Sequence, residues 1–82
     1  MTINKDVYLK TTTNKKLYSL LKKIWDNEEF ILGIMTFCFS KKHQQKMINV
    51  IESGVDNRNE ICLWAISISR NKDINELKAK WL

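Results

Sequence analysis

The chain has no proline and only two glycines, Gly33 and Gly54, among 82 residues. Tight turns draw on proline's preset φ or on glycine's freedom at positive φ. A turn-rich β architecture is therefore disfavoured, and the composition leans towards helices. Histidine is as scarce: His43 stands alone. Cys38 and Cys62 lie inside apolar runs and form no Cys-x-x-Cys pair, so spacing assembles no zinc set. Both read as buried free thiols of a reducing compartment. Arginine is nearly absent too, since twelve of the fourteen basic residues are lysine and only Arg58 and Arg70 are not. Arginine is the usual reader of guanine edges and phosphate forks, and its scarcity counts against base reading. The opening MTINKDVYLK lacks the apolar core of a signal peptide, which makes the cytoplasm the expected location. The longest apolar stretch, within NEEFILGIMTFCFS at residues 27–40, runs for about ten residues where a bilayer needs ~20. No transmembrane segment is expected.

What is present suits a globular protein. Apolar residues make up 44% and charged residues 28%, with a net charge of +5. This argues for one folded domain over residues 1–82, with residues 1–12 as a loosely docked arm. A chain this short buries about 60% of its unfolded surface, so its core must be used sparingly.

Helix punctuation supplies the frame. Asp26 with Glu29 reads as a capping box ahead of an apolar stretch, and Asp73 with Glu76 repeats the pattern. Ser40 is a cap for 41–53, Gly54 a left-handed stop behind it, and Asp56 or Asn57 opens a further segment. In 14–25, Leu17, Tyr18, Leu21, Ile24 and Trp25 share a face, with Lys15, Lys16, Lys22 and Lys23 opposite. In 41–53 the stripe is Met47, Ile48, Val50 and Ile51. In 74–82 it is Ile74, Leu77, Trp81 and Leu82. Residues 30–39 and 61–68 are apolar nearly all round, as buried helices are. The expected fold is an all-α bundle of four to five short helices. Two central apolar helices, about 27–39 and 57–70, are covered by amphipathic ones, and Gly33 and Thr36 allow a neighbour close approach. An α+β fold with 30–39 and 61–69 as buried strands is the alternative, since both runs hold β-branched and aromatic residues.

The stretches NEEFILGIM, HQQKMINVIESG and NEICLWAISIS, about half of the chain, are similar to small uncharacterised helical proteins of low-GC Gram-positive bacteria and their phages. The resemblance implies a small all-α module in a bacterial cytoplasm and carries over no functional residue.

The residues offer little to an enzyme, which needs a proton carrier, a nucleophile or a metal in fixed geometry. His43 has no evident orienting acid. Glu28 and Glu29 are adjacent and point about 100° apart, and no glycine-rich loop cradles a phosphate. No catalytic, metal or cofactor-binding residue is assigned. Nucleic-acid binding would use the lysine-rich helices at 14–25 and 40–47, through Lys15, Lys16, Lys22, Lys23, Lys41, Lys42, His43, Gln45 and Lys46, with Gln44 as a further adenine reader. Helix 14–25, basic on one face and apolar on the other, also has the form used at membrane surfaces. Three tryptophans and three phenylalanines are many for this length, and aromatic anchors dominate interface energies. The expected function is therefore a small non-enzymatic protein-binding module, a phage- or mobile-element-type regulator or inhibitor. It would act through Tyr18, Trp25, Trp81 and Leu82 on a protein partner, with a homodimer expected and nucleic acid as the alternative partner.

Overall fold

The computed structural model describes Leu9, residues 11–38 and residues 40–82. They form five helices: α1 (Thr12–Lys22), α2 (Glu28–Phe37), α3 (Lys41–Glu52), α4 (Arg58–Arg70) and α5 (Ile74–Trp81). The fold is all-α, and both apolar runs are helical. The α+β alternative falls, because i to i−4 backbone bonds satisfy these segments internally.

Each helix starts where a short polar side chain can take up its free N–H groups. Thr11 accepts from the Asn14 amide at 3.1 Å, Ser40 from His43 at 3.1 Å, and Asn57 from Glu60 at 3.0 Å. Asp73 accepts from Asn75 at 2.9 Å. The α2 cap is Asn27, whose side chain accepts from Glu29 and Phe30, one residue later than the expected Asp26. Gly54 ends α3 at φ 111° as expected, and its amide donates to the Ile51 carbonyl at 3.1 Å. The first helix begins earlier and stops earlier than its stripe suggests. Thr12 and Thr13 belong to it, and it ends at Lys22. Trp25 is carried into the core by a turn in which the Ile24 and Trp25 amides both donate to Leu21. Of the expected N-terminal arm, Leu9 packs partly buried against the core; residues 1–8 lie outside the described residues.

The helix pairings close into a ring: α1 packs on α2, α2 on α4, α4 on α3, and α3 on α1. Inside it lie Leu17, Leu21, Ile31, Met35, Cys38, Met47, Ile48, Ile61 and Ala65, each at most 1% exposed. Full burial of each large apolar side chain stabilises by roughly 1.5–3 kcal/mol. The radius of gyration, 12.0 Å, is about what 82 residues give in one domain. The fifth helix, α5, packs outside the ring on α4 and buries no residue fully.

Two expectations for the first apolar run need correction. A Cβ at Gly33 would meet nothing within 4 Å, so no neighbour approaches closely there. Thr36 is exposed and donates to the Leu32 carbonyl of its own helix at 2.8 Å. Nor is the run buried all round, because Phe30 is 61% and Phe37 42% exposed. Ring packing covers one face of α2, through Ile31, Leu32, Ile34 and Met35, and leaves the stripe at 30, 33 and 37 outside.

Candidate protein interface

The α4–α5 hairpin holds the largest exposed apolar side chains outside α2. Its turn is built by local chemistry. Asn71 takes the left-handed conformation (φ 54°, ψ 49°) that asparagine tolerates, and its amide donates to the Ser67 carbonyl. The Ser67 hydroxyl donates to the Lys72 carbonyl at 2.6 Å, and the Lys72 amide returns a bond to Ser67 at 3.0 Å. Asp73 then starts α5, which folds back on α4. Lys78 fixes the pairing: its Nζ lies 2.6 Å from Glu60 and 5.9 Å from the centroid of the Trp64 ring.

Between the two helices runs an open groove of about 320 Å³, lined by Asn59, Cys62, Leu63, Ile66, Leu77, Trp81 and Leu82. Trp81 is 65% and Leu82 63% exposed. The Lys80 ammonium lies 5.3 Å from the Trp81 ring centroid, an arrangement that stabilises an exposed indole modestly. Cys62 lines the groove as a free thiol, its pKa raised by burial.

The four residues expected at a protein interface do not share one surface. Trp81 and Leu82 stand on the groove. Trp25 is buried at 6% exposure and stacks on Phe30 with ring centroids 6.5 Å apart. Tyr18 is half-buried; its hydroxyl donates to Glu28 at 2.9 Å and Lys22 lies 5.7 Å from its ring centroid. Both therefore knit α1 to the start of α2. Phe30 and Phe37 were not expected at a surface. Their exposure was not legible in the sequence, because only the packing of four helices in a ring leaves α2 a single inward face.

The lysines of α1 and α3 face solvent, and His43 is half-buried. Lys16 pairs with Glu52 at 3.3 Å, tying the start of α1 to the end of α3, and Gln45 donates to Asn49 at 3.1 Å. Gln44 is buried at 4% exposure, so its amide is not presented to a base. A more polar hollow of about 370 Å³ lies between α3 and α4, lined by Lys46, Asn49, Trp64 and Lys72 among others. The Trp64 indole N–H is buried and has no hydrogen-bond partner among the described residues. Among the described residues, no helix is long and apolar enough to cross a membrane, and no group of three His, Cys, Asp or Glu side chains could hold a metal ion.

No family model, curated protein or solved structure matches the chain.

Proposed function

We propose that the chain is a non-enzymatic protein-binding module, a small regulator or inhibitor that engages its partner through the α4–α5 groove. The observation that carries this reading is the apolar groove itself, flanked by a tryptophan and a leucine that the fold leaves nearly two-thirds exposed. In so small a core, exposing such side chains forgoes burial that the fold could use. Tryptophan is also the residue type most enriched at interface hot spots. Trp81→Ser with Leu82→Ser tests it. A stoichiometric protein captured by the tagged full chain, resistant to nuclease, is expected to be lost by at least tenfold in the double variant while circular dichroism stays unchanged. Equal capture by both would sink this reading.

Nucleic-acid binding is the second reading, favoured by the exposed Lys15, Lys22, Lys23, Lys41, Lys42 and Lys46 on two packed helices. It is supported if capture vanishes with nuclease and affinity falls with log salt at about −0.9 per phosphate contacted.

A further inference from the structure

Phe30 and Phe37 lie outside the α4–α5 groove, on the outward face of α2. Between them Ile31, Leu32, Ile34 and Met35 are buried in the ring. What remains outside is Phe30, Gly33, Thr36 and Phe37, the i, i+3, i+6, i+7 spacing of one side of a helix. No charged residue interrupts this face. Its one hydroxyl, on Thr36, already donates to the Leu32 carbonyl of the same helix. The face can therefore lose its water without stranding a polar group.

Opposite charges bound it. Asp26, Glu28 and Glu29 precede the face and Lys41 and Lys42 follow it, all exposed. The run 26–42 thus reads acid, apolar, base. Three of the nine acidic residues of a +5 chain gather at one end, and a polyanion, whether nucleic acid or anionic lipid, is repelled there. An occupant that suits both ends must read base, apolar, acid. The same segment of a second copy does so when it is turned end for end, whereas a parallel copy sets acid on acid and lysine on lysine. Antiparallel helices also oppose their dipoles.

We propose that a second copy of this chain covers the face, the two α2 helices packing antiparallel about a twofold axis near Gly33. Such a contact is isologous, the patch meeting itself. Phe30 and Phe37 stand about 10 Å apart along the helix, and reversal about their midpoint sets Phe30 of each copy beside Phe37 of the other. Phe30 already stacks on Trp25 with centroids 6.5 Å apart, so the incoming ring lengthens an aromatic row. A hollow of about 450 Å³ beside Phe30, edged by Asp26, Glu28 and Arg58, gives it room. At the axis Gly33 leaves a gap between the rings, with nothing within 4 Å of where its Cβ would stand. A face of ten residues, about 15 Å long, makes a small interface of the weak, reversible class. The pairing involves neither Trp81 nor Leu82 and does not rest on the reading of the α4–α5 groove.

Sedimentation equilibrium tests it on the full chain, in moderate salt that screens the +5 charge of each copy. A reversible dimer is expected as the concentration rises to about 0.5 mM. Phe30→Ser with Phe37→Ser should raise the dissociation constant at least tenfold with unchanged circular dichroism, and Trp81→Ser should leave it as it is. A zero-length carbodiimide, which joins carboxylates to amines, reads the orientation without any substitution. In an equal mixture of isotopically light and heavy chains it should link Asp26, Glu28 or Glu29 of one copy to Lys41 or Lys42 of the other. A monomer throughout the range, a dimer indifferent to the phenylalanine variant, or one lost with Trp81→Ser overturns the proposal. So does a dimer whose light-to-heavy links join other regions instead.

Discussion

Cys38 is fully buried, and burial alone pushes its thiol from 9.0 up to about 11. Between those values the unfolded chain gives up its proton while the folded chain keeps it. The native state then binds more protons, so stability falls as pH rises through this window and is fully present below it. Two pKa units correspond to about 3 kcal/mol. Urea unfolding of the wild-type chain is expected to lose up to that amount between pH 9 and 11. Cys38→Ala, destabilised at every pH by its cavity, should show a clearly shallower alkaline loss. An identical slope in both would take the effect away from Cys38 and leave Cys62, which burial shifts in the same direction.

At the scale of the element, the two glycines make opposite demands. Gly54 holds φ 111°, which a side chain resists, so Gly54→Ala should cost about 1 kcal/mol or more. Gly33 sits inside α2 with open space where its Cβ would stand. Glycine in a helix interior is worse than alanine by roughly 0.5–1 kcal/mol, so Gly33→Ala should raise the Tm by a few degrees. Thermal unfolding of the two variants side by side decides this, and a loss of stability in Gly33→Ala would show that α2 needs its freedom after all. The caps at Ser40 and Asp73 were readable from residue type and spacing because such a bond is local, and that of α4 was narrowed to Asp56 or Asn57, of which the structure uses Asn57. The cap of α2 was misplaced by one residue, since Asp26 and Asn27 are adjacent and chemically equivalent as caps; which of them turns in depends on how the turn delivers Trp25 to the core.

Over the whole molecule, stability is uneven. The ring α1–α4 shares one core, whereas α5 has eight residues, none fully buried, and leans on α4 through Leu77, Lys78 and its ion pair with Glu60. A helix this short is marginal by itself in water. Native-state hydrogen exchange is therefore expected to show α5 opening well below the free energy at which amides near Leu21 and Met47 exchange. Lys78→Ala should lower that opening energy by about 0.5–1 kcal/mol, through the lost Glu60 and Trp64 contacts, and leave global unfolding nearly unchanged. Equal protection of α5 and the ring would mean one cooperative unit.

The sequence left a strand as the alternative for the two apolar runs, but by itself it determined the amphipathic helices. Their polar starts, the glycine stop at 54 and the 3.6-residue stripes act within a few residues, and each is satisfied by its own backbone. Only the tertiary structure decided which apolar faces are covered, because a stripe says that a face needs a neighbour without saying whether one arrives. Thus Trp25, one residue class with Trp81, is drawn into the ring by a turn at Leu21, and Trp81 is left 65% exposed on a fifth helix whose main packing is on α4. Phe30 and Phe37 stay outside for the same reason: four helices in a ring give each one inward face, and α2 has apolar residues enough for two.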